Sequence, residues 1–371
     1  KGENIMHALK RFGTAFGGYK MMENYPVPEC GPDDIILEIK AAAICGADMK
    51  HWGVDNGYDD TNITPDQQQS VRGHEFAGEI VKVGENVKDW HIGQRVVSDN
   101  SAHVCGVCPA CEQGDFLCCE HKVNLGLDNN TWGGGFSKYC KVPGEILAIH
   151  KHAIWEIPEG IKYEEACVLD PICNAYKAVA QQSHLIPGQD VVVFGTGPLG
   201  LFSVQVAKLM GAVNIVMVGL DDDVKVRFGV AKELGATHCV NGSKEDVVAR
   251  CTEICGRDNL GLVIECSGAN IALKQAIEMT RPNAEIVRVG MGLKPLKFSN
   301  TDIKAWNKSI IGHMAYDSTS WRNCIRLLQS GQIKVQPMIT HRLGLSQWQE
   351  VFDKMAKKEA IKVIFHYDYE D

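Results

Sequence analysis

The residues best suited to chemistry lie in CGVCPACEQGDFLCCE. Cys105, Cys108 and Cys111 follow a C-x2-C-x2-C pattern, and Cys119 comes seven intervening residues later. Zinc prefers four thiolates in a tetrahedron, and C-x2-C turns bring two sulfurs to one ion without strain. Such a site has no open position and is expected to be structural. Cys118 competes with Cys119 for the fourth place, and Cys119 is favoured. A second, dispersed set comprises Cys45 in ICGADMKHW, His74 and Glu75 in RGHEFAG, and Asp170 in VLDPICNA. One thiolate, one imidazole and one carboxylate would leave zinc a fourth position for water or substrate. Taken alone, Cys45 reads as a core cysteine and His74 as a satisfied polar residue; the thiolate lobe nearby raises the case for a metal. The third signal is GTGPLG, comprising Gly195, Gly197, Pro198, Leu199 and Gly200 around Thr196, directly after DVVVF and opening a helix pattern. In that context the glycines allow a tight turn, close approach of a pyrophosphate and close helix packing, with free amides at the helix start facing the phosphates.

These groups need a scaffold, and the chain provides room for one. Its 371 residues correspond to two or three domains at roughly 100–200 residues each. With 38 Lys+Arg against 46 Asp+Glu, the net charge of −8 argues against a nucleic-acid backbone binder. Pro198–Leu220, the nearest approach to a membrane span, is broken by Gln205, Lys208 and Asn214, so no membrane partner is expected. KGENIMHALKRFG has no apolar core of a secretory signal, and a cytoplasmic location is expected. Fifteen cysteines, an odd number with five packed into Cys105–Cys119, fit metal binding better than a disulfide scaffold.

Three zones position the motifs. Residues 1–170 carry short β-like runs separated by turn residues, such as DDIILEIKAAAI and EFAGEIVKVG, and read as a mostly antiparallel β region. Residues 171–308 alternate apolar runs with helix patterns: DVVVF, NIVMV, LVIECSG and EIVRVGM are the strands of an expected parallel sheet. Residues 309–371 read as two helices, TSWRNCIRLLQSG and SQWQEVFDKMAKK, and a final strand, AIKVIFHY.

With these motifs in this order, the chain resembles the zinc-containing medium-chain alcohol dehydrogenases, most closely the sorbitol (polyol) and threonine dehydrogenase branch. The resemblance rests on I-C-G-x-D, G-H-E, G-x-R-V, the four-cysteine lobe, the Rossmann glycines and the tail ITH…IKVIF, and covers nearly the whole length. It implies an α/β protein: a GroES-like, mostly antiparallel β catalytic domain (1–170), a Rossmann doubly wound parallel-sheet domain (171–308), and a C-terminal segment (309–371) that completes the catalytic domain. It also implies two Zn2+ per chain. The catalytic one would sit on Cys45, His74 and Asp170, with Glu75 as an exchanging or water-mediated ligand; the structural one would sit on Cys105, Cys108, Cys111 and Cys119. Where the family has Ser or Thr after Cys-Gly to pass the alcohol proton outward, this chain has Ala47. Where it often has His, the chain has Lys50, followed by His51, so water, Glu75, Lys50 or His51 must serve instead.

The implied reaction is hydride transfer between a secondary alcohol of a polyol or sugar derivative and a nicotinamide held near Val289, Gly290 and Met291. The D-P-x-x-N-A stretch Asp170–Ala175 keeps an amino alcohol of the threonine type as an alternative. A non-catalytic relative retaining only the structural zinc is a further one. The adenosine end is mixed. NIVMV ends in Gly219, which leaves room for the 2′-phosphate of NADP. Asp221 and Asp222, with Asp223 next to them, would repel that phosphate, and Arg227 matches an arginine of NAD users. NAD is preferred, with NADP the alternative. The loop 53–70 is a candidate substrate contact, and a homodimer or homotetramer is expected.

Overall fold

The apolar run DVVVF forms the strand Asp190–Phe194, with every residue buried. A strand covered on both faces reads as an unbroken hydrophobic run. In the computed structural model, which describes residues 4–11, 18–49, 70–128, 131–292, 295–296 and 299–370, this strand lies inside a six-stranded sheet. Its order is His238–Asn241, Ile215–Gly219, Asp190–Phe194, Leu260–Glu265, Glu285–Arg288 and Ser309–Gly312, and every pairing is parallel. This is the 3-2-1-4-5-6 order of a doubly wound Rossmann sheet, which receives ligands outside the carboxyl ends of its strands.

The unit built on that sheet spans Pro171–Met338. It begins directly after Asp170 and extends past residue 308. The run SIIG forms the sixth parallel strand, Ser309–Gly312, beside Glu285–Arg288, so this strand belongs to the dinucleotide-type unit. The helix Ser318–Gln329, with Trp321, Cys324, Ile325 and Leu328 on its buried side, also falls within it. A four-residue strand preceded by polar sequence carries too little periodicity to be assigned without its neighbours.

The other unit is discontinuous, Lys1–Asp170 with Ile339–Asp371. Its seven-stranded sheet runs Ile339–Gly344, Lys362–His366, Ile35–Ala43, Glu75–Val83, Arg95–Ser98 and Ile154–Glu156, with Tyr139–Val142 also paired to Ile35–Ala43. All its pairings are antiparallel except the first. The returning C-terminal strand is therefore inserted in the sheet. Its Phe365 packs edge-on against Phe136 at 5.4 Å, and the helix Trp348–Ala356 presents Trp348 and Phe352 to Tyr19.

Candidate active site and metal centres

Sheet register delivers the first group of donors. Ala43 pairs with Glu75, and the antiparallel ladder then brings the chain after Ala43 against the chain before Glu75. Cys45 and His74 thus meet at neighbouring strand ends. Ile364 also pairs with Ala43, and the Ile44 N–H donates to the Val363 carbonyl at 3.2 Å, which leads Lys362 to the same place. One donor atom each from Cys45, His74 and Glu75 lies within 4.8 Å of the others.

Asp48 fixes the first two. It is wholly buried in the short helix Gly46–Met49, and its Oδ2 accepts the Cys45 N–H at 3.0 Å. Its Oδ1 lies 3.9 Å from His74 Nδ1 and 3.6 Å from Arg72 Nε, while the Tyr19 hydroxyl donates to its carbonyl at 2.7 Å. A carboxylate behind a ligating imidazole sets ring orientation and basicity. Lys362 fixes the third: its ammonium pairs with Glu75 and donates to the Ile44 carbonyl at 3.1 Å. Burial and then the Glu75 carboxylate hold the Cys45 thiol well above its usual range, with Lys362 working against them. A divalent cation inverts that balance and makes the thiolate the favoured form. A soft sulfur, an imidazole and a carboxylate converging on one point, with Glu75 Oε1 buried and without a hydrogen-bond partner among the described residues, fit zinc by chemistry and geometry.

Asp170 is not among the residues of this group, whereas Glu75 is. Asp170 instead accepts a hydrogen bond from Asn100 Nδ2 at 3.2 Å, although its charge still reaches the Cys45 thiol. Lys50, His51 and the loop 53–69 lie outside the described residues. Asp48 and Lys362 were missed as functional residues. The signal for Asp48 was its place in C-G-A-D, three residues after the thiol; a lysine in a strand pattern gives none.

The second group gathers Cys105, Cys108, Cys111 and Cys119, again with donor atoms within 4.8 Å. Cys118 is exposed and not in the group, whereas Cys119 is buried and in it. The Cys105 N–H donates to Cys119 Sγ at 3.4 Å, and Cys105 and Cys111 sulfurs are 4.0 Å apart. The Val107 N–H, with that of Cys108 and the neighbouring thiols, pulls Cys105 down to about 6. Burial and the Cys108 thiol push Cys111 up to about 12. Four crowded sulfurs, of which Cys105 and Cys111 are pushed in opposite directions, fit a cation that would hold them all as thiolates.

In the second unit, Gly195 takes φ +95°, and a Cβ on Gly200 would lie 1.8 Å from the Gly195 carbonyl oxygen. Only glycine permits that turn and that approach of the helix Pro198–Leu209. Space around Gly197 is open, with Pro198 at the first helical position and no side chain capping the helix, so its amides are free for a pyrophosphate. The Val289 and Gly290 N–H groups donate to the Glu265 carbonyl at 2.8 and 2.7 Å, which anchors the Val289–Met291 turn at a carboxyl strand end. Glu265 is itself buried and paired with Arg288 at 2.6 Å.

Gly219 lies close against its neighbours. Its missing Cβ would meet Phe228, Thr196 and, at 3.0 Å, Asp223 Oδ2. Asp223 is buried, accepts the Leu220 N–H at 2.8 Å and lies 3.5 Å from Arg227. Asp221 points to Asn241 and Lys244 instead, at 2.6 and 3.2 Å, and Asp222 is exposed. The acid at the strand end is therefore Asp223, one residue beyond the pair singled out from sequence.

Comparison with known proteins gives the same organisation. Residues 31–152 match the pattern of the alcohol dehydrogenase GroES-like domain, and residues 198–330 match that of zinc-binding dehydrogenases. The chain is 76% identical over 366 residues to the uncharacterized zinc-type alcohol dehydrogenase-like protein YdjL of Escherichia coli K12, covering 99% of this chain and all of that one. It is 30% identical to a sorbitol dehydrogenase of Halalkalibacterium halodurans over 97% of this chain and 98% of that one. Identity is 33% to an L-threonine 3-dehydrogenase of Pyrococcus furiosus, covering 91% and 92%. Among solved structures, a putative zinc-binding dehydrogenase of Sinorhizobium meliloti bound to NADP matches with TM-score 0.83 and 25% identity, covering 98% and 99%. An alcohol dehydrogenase of Escherichia coli CFT073 complexed with NADH matches with TM-score 0.83 and 26% identity, covering 98% and 100%.

Proposed function

The chain belongs to the zinc-containing medium-chain alcohol dehydrogenase family, and from that premise we propose that it oxidises a secondary alcohol of a polyol or sugar derivative with NAD. The observation that carries this reading is the convergence of Cys45, His74 and Glu75 within 4.8 Å. Three protein donors leave a metal one position for substrate, whereas the four-thiolate lobe is closed and structural.

When bound, zinc supplies Lewis-acid polarisation of the alcohol oxygen, and the nicotinamide accepts the hydride. The chain supplies the rest. Cys45 and His74 hold the metal, and Asp48 keeps the His74 ring and the Cys45 backbone in place. Lys362 pairs with Glu75 and sets a positive charge beside the carboxylate in a buried site. Gly195, Gly197 and Gly200 let the dinucleotide lie against the helix start, and the turn Val289–Met291, tied to Glu265, sits at the carboxyl strand ends where the nicotinamide is expected. Ala47 has no hydroxyl to carry the alcohol proton outward, which leaves that task to water, Glu75, Lys50 or His51. Asp223 beside Gly219 favours NAD over NADP by charge. A homodimer or homotetramer is part of the same reading.

The threonine dehydrogenase relatives, together with D-P-x-x-N-A at Asp170–Ala175, support oxidation of an amino alcohol as a second reading. The purified protein, with its zinc counted, should be offered polyols, sugar acids, polyol phosphates and L-threonine with each dinucleotide. Reduction of NAD by a polyol or sugar derivative supports the proposal. Turnover of L-threonine alone selects the second reading, and one zinc per chain with no turnover overturns both.

A further inference from the structure

Beyond the carboxyl ends of the parallel strands Leu260–Glu265 and Glu285–Arg288 two turns meet, 266–269 and 289–292; the first leads into the helix Asn270–Met279. They approach so closely that only glycine fits between them. A Cβ on Gly268, which has φ +74°, would lie 2.2 Å from the Met291 carbonyl oxygen. One on Gly290 would lie 2.1 Å from the Gly268 nitrogen, and one on Gly292 2.4 Å from the Gly268 carbonyl oxygen. Glu265 ties both turns: its carbonyl accepts the Val289 and Gly290 N–H groups, and its wholly buried carboxylate accepts the Ser267 N–H at 2.8 Å and the Gly268 N–H at 3.0 Å. Arg288 closes the frame. Its Nη1 lies 2.6 Å from Glu265 Oε2 and donates to the Ala269 carbonyl at 3.3 Å, while Nη2 donates to the Gly268 carbonyl at 2.8 Å. One guanidinium thus joins the carboxylate at one strand end to two carbonyls of the turn beyond it, a task for a rigid planar fork of donors rather than a point charge.

A buried ion pair is weak evidence for stability, because desolvation offsets much of the attraction. Its geometry here serves placement. We propose that Arg288 is a positioning residue that locks the turn 289–292 against the turn 266–269 and so fixes the seat of the nicotinamide ring. The inference rests on the dinucleotide reading above and goes beyond it. It divides the site into two separable halves: the glycine turn Gly195–Gly200 serves the pyrophosphate, and the Arg288 frame serves the ring alone. A seat ordered in advance binds more tightly, because less freedom is lost when the ring arrives.

The test titrates the purified protein in a calorimeter with NADH, NADPH, ADP-ribose and 2′-phospho-ADP-ribose; the last two are the same dinucleotides without the nicotinamide. Arg288→Lys keeps a charge beside Glu265 and gives up the fork. The variant is expected to melt as the wild type does and to bind the preferred reduced dinucleotide about tenfold more weakly, the worth of one charge-assisted hydrogen bond. Its affinity for the matching ADP-ribose should stay as it was, a split that a general loss of structure would not produce. Gly292→Ala strikes the same contact from the other turn, since its Cβ would lie 2.5 Å from Arg288 Nη2. It should give the same split, which keeps the test decisive should Arg288→Lys fold poorly. Wild-type affinity for the reduced dinucleotide in either folded variant, or an equal loss for both kinds of ligand, overturns the proposal. A wild-type protein that binds none of the four ligands overturns the dinucleotide reading itself, and this inference with it.

Discussion

The Lys362 ammonium and the Glu75 carboxylate form an ion pair in which each residue is only 1% exposed. Lys362 also donates to Ile44, 318 positions away along the chain. Removing one partner of such a pair strands the other charge in a low-dielectric site, at about 3–5 kcal/mol. Lys362→Met should therefore lower unfolding free energy by about that amount and release catalytic zinc, whereas adding Glu75→Gln to it should recover much of the stability. Chemical denaturation with zinc counted before and after checks both; equal stability of the single and double variants would refute the coupling.

Cys108→Ser should cost one zinc per chain and destabilise the fold, since structural zinc contributes on the order of 10 kcal/mol in small isolated sites. Metal analysis and thermal melting read the result, and retention of both zincs with an unchanged melting temperature would remove the assignment.

Cofactor choice should depend on Asp223. A 2′-phosphate about 6 Å from one carboxylate, at an effective dielectric near 20, is repelled by roughly 3 kcal/mol per unit charge, about a hundredfold in affinity. Asp223→Asn should narrow the preference for NAD, whereas Asp221→Asn, whose carboxylate is not among the atoms nearest Gly219, should change it little. A wild-type kcat/KM about tenfold better with NADP would reverse the expectation.

Acid should loosen the second unit through His313. Burial, then the Lys177 charge, lower its pKa from 6.5 to about 4. Its Nδ1 lies 2.6 Å from Gln182 and its Nε2 3.1 Å from Asn174; a neutral ring donates from one nitrogen and accepts at the other, so one amide turns its NH2 inward. Between pH 6.5 and 4 the unfolded chain binds the proton and the native state does not. Native stability is thus complete above 6.5 and falls as pH drops towards 4, by at most roughly 3 kcal/mol. His313→Gln should flatten that slope in denaturant melts at stepped pH; an unaltered slope would discount the residue.

Motifs whose chemistry depends on close spacing were legible in the sequence, namely the four-cysteine lobe and the glycines after DVVVF, while Cys45 with His74 came from the resemblance. The remainder depended on register. Lys362 sits in AIKVIFHY, where a lysine among apolar residues reads as a surface position, and only the pairing of Ile364 with Ala43 turns it inward. Asp223 differs from Asp221 and Asp222 only by its place on a short helix, which the run DDDV does not specify. The sixth strand, SIIG, needed the edge of Glu285–Arg288 to define it.

Residues 171–338 stand between the two parts of the first unit. A ribosome therefore delivers the whole parallel sheet before it delivers Ile339–Gly344 and Lys362–His366, and domains generally fold as units during synthesis. Until that last strand emerges, Cys45, His74 and Glu75 have been translated but lack the cation that neutralises Glu75 and the strand that closes over Ile44. A nascent chain halted before Lys362 would carry a complete dinucleotide-type unit and an unfinished Cys45–His74–Glu75 group, so on the proposed reading this group would be ready for zinc only at the end of biosynthesis.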